Sequence, residues 1–176
     1  MNANSLFSIM LVLSFVPSVI KAEETEKLAA KFPLLARLRP PQGELPIGCP
    51  VKEVPSNIPA LKGFENQSIT VNPKLFLLTD PRLSKVIDVK SIQAAYIGMY
   101  GDTEECGVVG LALANSEFAQ KAHDAVAAQY AGQDRVRLWK KGNSVVWLWR
   151  DRSKTNACYE YLEKYVNSQM QVGDNE

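Results

Sequence analysis

Three cysteines (Cys49, Cys106 and Cys158), one histidine (His123) and the acids Asp102, Glu104 and Glu105 are the residues of this chain best equipped for covalent or acid–base chemistry. In an oxidising compartment two of three thiols pair and one is left over. The sequence has no CxxC pair and no Cys/His ligand spacing, so it implies neither a metal nor another cofactor. His123 is expected on a helix near Ala119, Ala122 and Val126. Its neighbour Asp124 is rotated about 100° around that helix, and no serine lies in a GxSxG context, so the histidine reads as a helix-surface residue. Glu104 and Glu105 precede Cys106, and adjacent carboxylates raise a thiol pKa, the wrong direction for a nucleophile. Asp102, Glu104 and Glu105 fall on an expected turn, where acids are ordinarily solvated; a hydrolase built on them is the enzymatic alternative. Gly98, Gly101, Gly107 and Gly110 form no phosphate-cradling motif. Asn66-Gln67-Ser68 matches the glycosylation triplet, which matters only in a eukaryotic secretory pathway.

The 176 residues, with 46 % apolar and 22 % charged, suit one globular domain. A net charge of +1, with no basic run, excludes a nucleic-acid binder, which needs a clustered basic face. Residues 6–16 are apolar except for serines, and Pro17, Ser18 and Ala22 follow. That run has the length of a secretory signal and is short for a bilayer span. No Lys or Arg precedes it. The reading is a signal peptide over residues 1–22 and a secreted or periplasmic mature protein with no stable membrane association; an uncleaved anchor extending to Ile20 is the competing one.

Residues 23–39 read as an N-terminal helix, with Leu28, Phe32, Leu35 and Leu38 at helical spacing and Pro33 as a start or kink. Residues 40–86 form an arm whose prolines forbid long helices and central strands. Within it residues 71–79 suggest a short strand, and residues 81–87 one or two helical turns capped by Asp80. Residues 87–170 read as an α+β domain: strands over 92–100 and 106–114, a helix capped by Asn115 or Ser116, a hairpin of 135–140 and 144–150, and a helix from about Asn156 to Met170. Residues 171–176 are a polar tail. The order ββαββα predicts a four-stranded antiparallel sheet with both helices on one face.

Side chains alternate across a strand. Taken strand by strand, one face is aliphatic and the other carries Tyr96, Tyr100, Arg137, Trp139, Trp147 and Trp149. Such a face is either a second core layer beneath the arm and first helix, or a platform for a protein or small-molecule ligand. The same plan places Cys106 and Cys158 at one end of the sheet, which makes a Cys106–Cys158 bridge plausible and leaves Cys49 free or available to a second chain. Three unbridged thiols are the alternative. The function expected is therefore that of a non-enzymatic exported binding or structural module.

Overall fold

The computed structural model describes residues 16–53, 66–72, 82–101, 105–151 and 156–172. Its helices are α1 (Val16–Lys31), α2 (Pro33–Arg37), α3 (Ser116–Gln129) and α4 (Ala157–Gln171), and its strands are β1 (Ser68–Thr70), β2 (Ile92–Tyr100), β3 (Cys106–Leu113), β4 (Val136–Lys141) and β5 (Ser144–Arg150). The helix expected over residues 23–39 is broken in two. Pro33 opens α2 at its first turn, where its missing N–H costs nothing. Two asparagines start the longer domain helices: Asn115 Oδ1 accepts from Phe118 N at 2.9 Å and Asn156 Oδ1 from Tyr159 N at 2.8 Å. Each cap is worth about 1 kcal/mol. No described helix is long and apolar enough to cross a membrane.

Among the described residues the sheet has five antiparallel strands in the order β1-β2-β3-β5-β4, which corrects the expected four-stranded ββαββα sheet. The extra strand comes from the arm. Gln67 takes a positive φ of 62° and its N–H donates to Ile97 O at 2.9 Å, turning residues 68–70 onto the edge of β2. Asn66 anchors this turn: its Nδ2 lies 2.7 Å from Lys52 O and 2.8 Å from Met99 O, and its Oδ1 accepts from Met99 N at 2.8 Å. The amide of the glycosylation triplet is thus engaged inside the fold. Of the strand expected over 71–79 and the turns over 81–87, residues 73–81 lie outside the described residues. Val71 and Asn72 are not strand, while Leu83–Lys85 form a single 3-10 turn.

Nor do the two domain helices share a face. Leu35 and Leu38, together with Leu162 and Val166 of α4, pack on Tyr96, Val108, Val146 and Leu148. Ala119, Ala122 and Val126 of α3 pack with Leu83 on Ile97, Val109, Leu111, Val145 and Trp147, which point the other way. The sheet is therefore the middle of three layers. β3 shows why: it has no charged residue and every one of its residues is buried, as a strand covered on both sides requires. On the α2 side the approach is close. A Cβ on Gly110 would meet Leu38 Cδ1 at 2.5 Å and Leu35 Cδ2 at 2.8 Å, so α2 sits against the bare backbone of the central strand. Tyr165 of α4 locks α2 from above, its Oη 2.9 and 3.0 Å from the carbonyl oxygens of Arg37 and Arg39, which share its one proton.

Candidate functional site: a three-sulfur centre

The chain brings its three cysteines together where β2 ends and β3 begins. Cys49 arrives on the arm. Gly101 N donates to Pro50 O at 2.9 Å, Val51 bridges Tyr100, and Lys52 N donates to Met99 O at 3.0 Å, so the arm continues the sheet beside the end of β2. Cys106 is the first residue of β3 and stands opposite both Tyr100 and Arg150. Cys158 lies in the first turn of α4, positioned by the Asn156 cap. The disulfide joins Cys49 to Cys158, with Cα atoms 4.9 Å apart. This corrects the expected Cys106–Cys158 bridge: Cys106 is close, its Sγ 3.3 Å from Cys158 Sγ, but it keeps its thiol. The two sulfurs were legible as neighbours from the sheet plan. The path of the arm, which brings in the third, was not.

Arg150 supports this corner from the strand side. Its side chain is 5 % exposed, its guanidinium lies over the Tyr159 ring at 4.7 Å from the centroid, and its Nη2 reaches Asp134 O at 3.2 Å. That stacking holds the start of α4, and with it Cys158, against the sheet. Glu105 forms an ion pair with Lys52 of the arm. Asp102 and Glu104, the other acids of the hydrolase alternative, lie outside the described residues. His123 and Asp124, expected to diverge around α3, meet at 3.1 Å between Nδ1 and Oδ1 on the helix surface. The hydrogen bond from His123, then that from Gln120, lowers the Asp124 carboxyl pKa.

The six residues expected to share an aromatic face do not. Tyr96, Tyr100, Arg137 and Trp139 lie on the α2–α4 side; Trp147 and Trp149 lie on the α3 side. The hairpin register decides this. The two-residue turn Gly142-Asn143 pairs Lys141 with Ser144, so Trp139 faces Val146, and Trp147 faces Leu138. Tyr96, Tyr100 and Trp147 are buried, Trp139 and Trp149 are half-buried, and Arg137 is exposed and pairs with Glu163 of α4 at 2.8 Å. For Tyr96 and Tyr100 the core alternative holds: the first helices and the arm cover them.

Beside the sulfurs lies a buried hydroxyl pair. Tyr96 and Tyr100 flank Gly98 on one side of β2, and their Oη atoms meet at 3.0 Å over it. Gln67 Nε2 donates to Tyr100 Oη at 3.0 Å. Burial pushes Tyr96 well above its ordinary value and Tyr100 up to about 12. The Cys106 thiol is pushed up to about 12, first by burial and then by the Asp151 carboxylate.

These shifts fix the sign of the alkaline response. The unfolded chain gives up the cysteine proton near pH 9 and the tyrosine proton near pH 10, whereas the folded chain holds both to about 12. Stability is therefore fully present below pH 9 and falls between pH 9 and 12. The expected result is a melting temperature that drops across that window, with Cys106→Ser removing the start of the drop and Tyr100→Phe reducing its later part, which Tyr96 shares. A drop of the same size in both variants would count against the assignment.

Among the described residues, no group of His, Cys, Asp or Glu is arranged to hold a metal ion. No known protein family, curated protein or solved structure matches this chain.

Proposed function

We propose that this chain is an exported, non-enzymatic α+β module whose shape is fixed by the Cys49–Cys158 disulfide. That bond carries the reading. It ties the arm to the last helix across the whole domain sequence, and such bonds persist in oxidising compartments and are rare in reducing ones. The apolar run of residues 6–16 supplies the matching export signal. The aromatic residues that would suit a ligand platform are used for packing, Tyr96, Tyr100 and Trp147 above all. The thiol that would suit a nucleophile is held protonated by burial.

The test is intact-mass measurement on the full-length chain expressed with its own N-terminus in a secreting host. The expected product is extracellular or periplasmic, begins at Glu23, and is lighter by two hydrogens than its fully reduced form. A chain that stays in the cytosol with residues 1–22 attached and three alkylatable thiols would overturn the reading.

A further inference from the structure

We propose that the Cys49–Cys158 disulfide is one of two isomers, and that the Cys106 thiol converts it into a Cys106–Cys158 disulfide, releasing Cys49 as a free thiol. Cys158 is the shared member: it is bonded to one sulfur and touches the other at 3.3 Å. All three residues are at most 3 % exposed, so the exchange is intramolecular and shielded from outside thiols. The inference requires only that the Cys49–Cys158 bond forms, wherever the protein resides, so it stands or falls separately from export.

The step balances without an outside oxidant or reductant. Cys106 loses its proton, and its sulfur bonds to Cys158 Sγ as the Cys49–Cys158 bond breaks. The electron pair leaves on Cys49 sulfur, which takes up a proton. One disulfide and one thiol exist before and after. Burial keeps Cys106 protonated near neutral pH. The exchange is therefore slow there and accelerates with each unit of pH, since only the thiolate attacks.

The two isomers differ in what they hold. In the first, the arm is bolted to α4. In the second, β3 is bolted to α4, and the arm is held without a covalent tie, by its backbone pairing with the end of β2 and the Lys52–Glu105 ion pair. The free thiol also changes place. It leaves the core strand and appears on Cys49, which lines an open groove of about 520 Å³ together with Leu45, Pro46, Gly48 and Val51. Ile47, at the tip of the turn beside this groove, is fully exposed. With the bond moved, the free thiol stands at the wall of that groove and no longer on the central strand.

The experiment is disulfide mapping of the oxidised full-length protein. Samples are held folded at pH 7 and pH 9.5, blocked with N-ethylmaleimide under acid quench, and digested with pepsin at low pH. The expected result is a growing Cys106–Cys158 peptide with blocked Cys49, independent of protein concentration, its initial rate rising about tenfold per pH unit. A Cys49→Ser variant refolded in the presence of a small disulfide is expected to form the Cys106–Cys158 bond. If folded wild-type protein yields only Cys49–Cys158 with blocked Cys106 at both pH values over a day, the exchange does not occur. A Cys49→Ser protein that refolds under those conditions as a dithiol leads to the same conclusion.

Discussion

Replacing Cys158 with serine is expected to lower the unfolding free energy by about 5 kcal/mol, whereas replacing Cys49 lowers it by only about 1 kcal/mol. The native bond joins residues 109 apart, and constraining an unfolded chain with a ring of that size contributes about 5 kcal/mol in the chain-entropy model. Loss of Cys158 removes both the observed bond and the sulfur that Cys106 touches. Loss of Cys49 leaves Cys106 and Cys158, 52 residues apart with their sulfurs already in contact. The ring they close is worth about 4 kcal/mol on the same scale. Against a total stability of roughly 5–15 kcal/mol for an ordinary domain, the first variant is near the edge of folding and the second is not. Denaturant titration of both variants, with wild-type protein measured before and after reduction, gives the comparison. Reduced wild type should match Cys158→Ser. Equal losses in Cys49→Ser and Cys158→Ser would mean that Cys106 cannot take the place of Cys49.

The second large effect is expected at Trp147. Its ring is 2 % exposed and is packed among residues that include Val109, Val145 and Val126 of α3. Truncation to alanine removes a large buried aromatic side chain and leaves a cavity, which costs about 3–5 kcal/mol. Trp139 and Trp149 are only half-buried, and their truncation should cost less. Fluorescence separates the three. In a variant with Trp139 and Trp149 both changed to phenylalanine, the remaining emission should be blue-shifted and poorly quenched by acrylamide. Strong quenching there would mean that Trp147 faces solvent. A useful control is Gly107, which stands opposite Trp149 on the sheet. A Cβ there would meet the indole at 2.7 Å, so Gly107→Ala should alter Trp149 emission and leave that of Trp147 nearly unchanged.

The sequence was informative wherever a local rule decided the outcome. The span of β2 follows from its apolar run, the starts of α3 and α4 from Asn115 and Asn156, and the β4–β5 hairpin from alternation around Lys141-Gly142-Asn143, of which Lys141 belongs to β4. It misled where faces were assigned to each strand separately. A two-residue turn makes Lys141 and Ser144 partners, and counting back from that pair puts Trp139 beside Val146. The information was present in the turn length. The same holds for β3, whose unbroken apolar run calls for cover on both sides and hence for α3 and α4 on opposite faces. The remaining features were not local. β1 depends on Gln67 adopting a positive φ and on Asn66 bonding to Met99, two strands' worth of context that residues 66–70 do not carry themselves. The choice of Cys49 over Cys106 as the partner of Cys158 depends on how the proline-rich arm runs along the end of β2, which composition alone does not reveal.

The ring closed by Cys49 and Cys158 also determines how the molecule bears mechanical load. All five strands lie between the two joined residues. Tension applied to the chain on either side of the ring passes from the arm to α4 through the sulfur–sulfur bond and bypasses the sheet. The 109-residue span, a contour of roughly 380 Å at about 3.5 Å per residue, stays out of reach of the pulling force until that bond is broken. If the bond moves to Cys106, the ring begins at β3. β1 and β2 then lie on the stretched part of the chain, and the edge of the sheet becomes the first element to peel away.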